Sequence, residues 1–215
     1  TKGVLMKKTL IATSAALCLA TAVSAAEFIN VLTGGTSGIY YPLGVALSQM
    51  YAKAIPDSKT AVQATKASVE NLNLLQAGRG EVAISLGDSL SDAYKGNTEA
   101  GFKAPLSKLR TIGALYPNYI HFVAAADSGI KSFYDIKGKR ISVGAPKSGT
   151  ELNSRAILAA AGISYKDFSK VEYLSYAESV ELMKNRQLDV TLLSSGAGVA
   201  ALRDLATSQK VVFLT

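Results

Sequence analysis

The 215-residue chain carries 23 Lys and Arg against 16 Asp and Glu, a formal charge of +7, with one Cys, one His and no Trp. A single cysteine excludes an internal disulfide and, beside a single histidine, a His/Cys metal cluster. The basic residues are interleaved with acids, unlike the basic stripe of a nucleic-acid binder, and a mild positive surplus suits a small anionic ligand.

Residues 1–25 read as a segment outside the fold. Met6-Lys7-Lys8 is a short basic start, Thr9 to Val23 is apolar and small, and Val23-Ser24-Ala25 supplies small residues before a cut at Ala26 or Glu27. This is the pattern of a secretory signal peptide. The apolar run falls short of the ~20 residues that a spanning helix needs. Leu17 precedes Cys18 where lipoprotein processing needs a small residue. Thr1 to Leu5 read as an upstream remnant. Cleavage removes Cys18 and Lys2, Lys7 and Lys8, leaving 20 basic residues against 16 acidic ones. The mature product is expected to be exported and soluble, and to rely on an ordinary core.

Phe28 to Leu32 reads as an apolar strand entering the small-residue turn Thr33 to Gly38. Tyr41 to Ala54 has helical periodicity, with Pro42 suited to the first turn and Pro56 closing the segment. Thr60 to Ala64 is a second strand, and Ser68 an N-cap for a helix over Val69 to Ala77 that Gly78 ends. Glu81 to Leu86 reads as a third strand meeting a Gly87-Asp88-Ser89 turn, with a short helix starting in Asp92 to Lys95. Leu109 to Leu115 and Tyr119 to Ala125 read as strands.

After Asp127-Ser128-Gly129 the pattern restarts. Phe133 to Ile136 is a helical turn, Arg140 to Val143 a strand, and Glu151 to Ala161 a helix ended by Gly162. Val171 to Ser175 is a strand, Ala177 to Arg186 a helix, and Asp189 to Leu193 a strand. A Ser194-Ser195-Gly196 turn then leads to a helix reaching Ala206. Val211 to Leu214 is a further apolar strand on which the chain stops, so the sequence is expected to be a fragment of a longer protein. Strands alternating with helices predict an α/β fold with mostly parallel sheets, and ligands there bind beyond the carboxyl ends of the strands.

Two of these strand–turn–helix junctions repeat one device. The turns Thr33 to Gly38 and Gly144 to Thr150 are rich in Gly, Ser and Thr and open helices, where unpaired amides and the positive helix end suit a carboxylate or phosphate. The same residues also belong at well-capped helices for structural reasons. Tyr40 and Tyr41 at the mouth of the first turn add to the binding reading. Tyr116 and Tyr119 read equally as core or pocket rim. The second turn fails as a nucleotide P-loop, because Thr150 stands after Gly149 where lysine is required and Pro146 removes an amide.

Gly87-Asp88-Ser89-Leu90 resembles the signature block of GDSL-type (SGNH) esterases, with Ser89 as nucleophile. That reading requires a base within reach of Ser89. The single histidine, His121, lies in an apolar strand with Asn118 rather than Asp before it, and reads as a half-buried strand residue. Asp88, Asp92 and Glu99 lack the spacing of a calcium loop. No cofactor or metal is expected.

Along nearly the whole mature chain, in order, the sequence resembles the solute-binding proteins of TRAP transporters of the TAXI type. The resemblance rests on Thr33 to Pro42, Ser68 to Leu72, Leu115-Tyr116-Pro117, Ala126 to Ile130, Lys137 to Arg140, Val143 to Glu151 and Tyr173 to Tyr176. It implies a two-lobed periplasmic receptor, monomeric and not an enzyme, that closes on glutamate or a related amino or dicarboxylic acid. Its partners would be the membrane subunits of the transporter.

Lobe one would span residues 26–125 plus C-terminal elements beyond the sequence, lobe two 126–206, and 207–215 would begin the return crossover. By position, Gly35, Thr36, Ser37, Tyr40 and Tyr41 would line lobe one, with Asn71, Asp88 and Ser89 beside them. Ser148, Gly149 and Thr150 would close from lobe two. The chain departs from the family at Leu86-Gly87-Asp88, where a glutamine-containing turn is usual, and at Ser194 to Gly198, which lacks a proline.

Overall fold

The structure, a computed structural model, describes residues 26–215. The signal peptide expected at 1–25 lies outside the described residues. Among the described residues no helix is long and apolar enough to cross a membrane.

Two sheets organise the chain. The first holds β1 (Phe28–Leu32), β2 (Lys59–Gln63) and β3 (Val82–Ala83) in the order β2-β1-β3, all parallel. Between these strands run α1 (Tyr40–Ala54) and α2 (Ser68–Gln76), and α3 (Gly87–Lys95) follows β3. The second sheet has five strands in the order β6-β5-β7-β4-β8. They are β4 (Tyr119–Ala125), β5 (Arg140–Ser142), β6 (Lys170–Glu172), β7 (Val190–Ser195) and β8 (Val211–Leu214). Its helices are α4 (Gly149–Ala160), α5 (Tyr176–Lys184) and α6 (Ala200–Ser208). The α/β architecture with flanked, mostly parallel sheets is thus as the alternation of elements predicts.

The direction of β4 is the main departure. It pairs antiparallel to β7, with Phe122 opposite Leu192, and antiparallel to β8, with Val123 opposite Phe213. Residues 119–125, assigned from sequence to lobe one, therefore lie in the second sheet, and Val211–Leu214 joins them there instead of leading back to the first. The burial pattern explains it. Phe122 to Ala125 is a run of four buried apolar residues, as a strand covered on both faces requires, and their packing partners belong to the second half. Phe122 and Ala124 pack with Ile136, Ile141 and Leu158, whereas Val123 and Ala125 pack with Met183, Leu193 and Leu205 on the opposite face.

Two further strand predictions fail for one physical reason. The third strand shrinks to Val82–Ala83, and 109–115 contains no strand, with Ile112 81% and Leu115 55% exposed. Apolar alternation specifies a strand only where a neighbour supplies the ladder, and β3 pairs on one side alone among the described residues.

Close packing brings α1 onto the first sheet. Gly44 is buried in that helix, and a Cβ there would lie 2.3 Å from Thr33 Cγ2. The ends of the second-half helices are fixed by their own side chains. Ser148 accepts from the Glu151 amide at 3.1 Å, and Ser175 and Glu178 form a capping box on α5, each cap contributing about 1 kcal/mol.

Candidate functional site

The carboxyl ends of six strands meet around one cavity of about 120 Å³. From the first sheet come Gly34 to Tyr40 after β1, Thr65 to Ser68 after β2 and Leu86 after β3. From the second come Ala145 and Ser148 to Thr150 after β5, Leu174 to Tyr176 after β6, and Ser194 and Ser195 at the end of β7. Four helices, α1, α2, α4 and α5, begin at its wall. Among the described residues the first-turn amides Ser68, Val69, Gly149 and Thr150 meet no backbone acceptor, so partial positive charge converges on the space.

The two halves touch closely across the cavity. A Cβ on Gly149 would lie 2.5 Å from Leu86 Cδ1 and 2.8 Å from Ser68 Oγ, so glycine is required for this approach. The Glu70 amide donates to the Lys147 carbonyl at 3.1 Å and the Ala201 amide to the Ser37 carbonyl at 3.2 Å. Two non-glycine residues adopt positive φ at this junction, Ala67 at 77° and Lys147 at 62°. Such conformations persist where the surroundings over-determine them, often at ligand clamps.

Polar groups on the wall are organised around two phenols, Tyr40 and Tyr176, with Tyr116 packed behind the first. Tyr176 Oη lies 2.8 Å from Thr150 Oγ1, donates to the Ser194 carbonyl at 2.7 Å and accepts from the Ser194 amide at 3.1 Å. The ring of Tyr40 meets that of Tyr116 edge-on at 6.5 Å, and the Tyr116 hydroxyl is buried without a partner. Burial raises the pKa of all three phenols, Tyr116 to about 12. Each stays protonated, so Tyr40 and Tyr176 on the wall are hydroxyls, not phenolates.

Of the residues singled out from sequence, the cavity gathers Gly35, Ser37, Tyr40, Ser148, Gly149 and Thr150. Thr36 is exposed and Tyr41 half-buried outside the wall, because α1 already begins at Tyr40 and turns successive side chains to different faces. Asn71 is fully buried and serves the fold. Its Nδ2 donates to Thr33 O at 2.6 Å and Ile84 O at 2.9 Å, and its Oδ1 lies 2.6 Å from Thr65 Oγ1.

Asp88 and Ser89 lie in the first turn of α3 and not in a turn ahead of it. Asp88 accepts from the Ser89 amide at 2.6 Å and from Asn153 Nδ2 across the halves at 2.5 Å. Ser89 is wholly buried, its hydroxyl 3.4 Å from Asp88 Oδ1. His121 is far from that arrangement in kind: its ring stands between Tyr119 and Phe213 on β4, with Nε2 buried and unpartnered. Among the described residues no histidine bonds to Ser89 as the base of an esterase triad would.

Missed from sequence were Thr65, Lys66, Ala67 and Ser68 after β2, and Tyr176, Ser194 and Ser195 on the second sheet. The signal was available, since every one of them sits at the carboxyl end of a strand.

This arrangement of two α/β halves closing strand ends on one cavity defines the fold of two-lobed periplasmic binding proteins. The alkanesulfonate-binding protein SsuA from Xanthomonas axonopodis pv. citri, bound to MOPS, superposes with a TM-score of 0.59 at 18% identity, over 89% of this chain and 62% of that one. An ancestral arginine-binding protein bound to arginine gives 0.59 at 15% identity, over 87% of this chain and 78% of that one. A binding protein component of an ABC phosphonate transporter from Pseudomonas aeruginosa gives 0.58 at 14% identity, over 89% and 65%. This chain spans 62% and 57% of the lengths of the Xanthomonas and Escherichia coli SsuA proteins. The profile of the NMT1-like family matches residues 31–215, and the chain belongs to that family.

Proposed function

We propose that the chain is the receptor part of a periplasmic solute-uptake system. It captures a small organic carboxylate between two lobes, without chemical turnover, and presents it to membrane transporter subunits. The observation that carries this reading is the convergence of six strand ends and four helix N-termini from two sheets on one cavity. A carboxylate there completes hydrogen bonds from both halves, so its binding favours the closed arrangement.

The motif resemblance further supports a TAXI-type receptor of a TRAP transporter, acting as a monomer. In that scheme the lobes divide ahead of β4, and the inter-sheet segment before Tyr119 serves as a crossing. Thermal-shift measurements against carboxylates, amino acids, sulfonates and sugars test the receptor reading. A rise in Tm with carboxylates, and none with sugars, is the expected outcome. A flat response across the acids, together with hydrolysis of short esters that Ser89→Ala abolishes, would overturn it.

A further inference from the structure

The charges around the cavity narrow which acid it takes. Among the described residues lining it, Lys66 is the one cationic side chain, and there is no Asp, Glu or Arg. Two carboxylates close by are turned to other partners. Glu70 Oε2 accepts from the Lys66 amide at 2.6 Å, and Asp88 is held by the Ser89 amide and Asn153. A ligand ammonium would therefore face helix N-termini and Lys66 with no carboxylate to pair it, and a desolvated, unpaired cation is strongly disfavoured.

Size points the same way. An apolar cavity of ~150 Å³ accepts a benzene-sized molecule, so the 120 Å³ here suits a ligand of about five or six heavy atoms. Glutamate, with ten, exceeds it.

We propose that, on the reading of this cavity as a carboxylate receptor, its ligand is a short monocarboxylate without an ammonium group, such as a 2-oxo or 2-hydroxy acid, and that amino acids are excluded. The carboxylate sits against the free amides of Gly149 and Thr150 with Lys66 as counter-ion. The hydroxyls of Ser37 and Ser195 on the wall, which bond to no other described residue, are left for an oxo or hydroxyl group, and Leu86 and Leu174 for the short chain.

Titration calorimetry on the full chain at pH 7, with matched pairs of one skeleton, tests this: pyruvate with alanine, and 2-oxobutanoate with 2-aminobutanoate. The deaminated member of each pair is expected to bind at least ~10-fold tighter, the least that an unpaired buried charge costs. Equal or tighter binding of the amino acids, or binding of glutamate alone, overturns the inference while leaving a carboxylate receptor standing. Silence from every acid in the panel overturns both. Lys66 is exposed, so Lys66→Gln should fold normally. It is expected to weaken the oxo acids about 10-fold, and unchanged affinity would overturn the assignment of Lys66 as counter-ion.

Discussion

Asn71 uses its whole side-chain amide on the protein, tying the ends of β1 and β3 to the start of α2 through Thr33 O, Ile84 O and Thr65. Replacing it with Ala takes the side-chain donor from Ile84 O, leaves Thr33 O with Thr65 Oγ1 alone and empties the space of the amide, and a buried group so stranded costs about 1–3 kcal/mol. Asn71→Ala is expected to lower stability by about 2–4 kcal/mol in urea unfolding, with ligand selectivity unchanged in whatever fraction remains folded.

The family resemblance implies by position that this residue is a ligand contact, and a polar side chain near Gly-rich turns serves the ligand or the fold alike. The glycine, serine and threonine turns themselves were legible, because a strand end followed by small residues and a helix start leaves few alternatives. Gly149 is the sharpest case. The sequence marks it as part of a turn, but only the approach of Ser68 and Leu86 from the other sheet explains why no side chain fits there.

At the scale of elements, helices and the strands between them were readable wherever apolar periodicity was local. Every predicted helix exists, with ends shifted by a few residues; α3 starts earlier, at Gly87. Pairing was not readable, because it depends on a distant partner. That is why the segment 109–115 has no ladder and why β4 lies in the second sheet, antiparallel to β7.

That sheet is also pinned by charge. Arg140 and Asp189 form a bidentate pair at 2.6 and 3.0 Å, and Asp189 accepts the Arg140 amide at 2.8 Å, joining the starts of β5 and β7. Hydrogen bonding to the Arg140 side chain lowers the Asp189 pKa. A carboxylate with a depressed folded pKa contributes its stability above the unfolded value of ~3.9 and loses it as pH falls through the folded value. Glu178, held by the Ser175 hydroxyl and amide, shifts in the same sense. Unfolding free energy is expected to decline below about pH 4–5. Asp189→Asn should remove about 1 kcal/mol at pH 7, a half-exposed pair being partly screened, and should flatten the acid limb. An acid limb identical to wild type would show that the pair does not matter to folding.

For the whole molecule, the halves are joined by polar contacts beside a few apolar ones, Leu152 against the first core and Ile39 against the second, and the polar ones can be made and broken as a receptor opens and closes. Asn153 Nδ2 reaches Asp88 at 2.5 Å, and Arg155 Nη1 reaches the Glu99 carbonyl at 2.9 Å. Both donors stand on α4, whose first turn lines the cavity, so closure and ligand contact share one helix. Asn153 also accepts from Ser194 Oγ at 2.7 Å, which in turn accepts from Asn118 Nδ2 at 2.8 Å, in the segment between the sheets. A polar chain thus runs from α3 through α4 and β7 to the crossing.

Hydrogen bonds to charged groups contribute about 1.5–3 kcal/mol each and neutral ones about 1. Removing these two side-chain donors therefore shifts the closed-to-open equilibrium by roughly 10- to 100-fold, and apparent affinity falls by as much as the closed fraction does. The double variant Asn153→Ala, Arg155→Ala is expected to show a larger radius of gyration by small-angle scattering without ligand, and to recover the wild-type value at saturating ligand. Its thermal unfolding should change far less than that of Asn71→Ala, because the two halves keep separate cores. An unchanged radius with unchanged affinity would mean that these contacts do not hold the molecule shut.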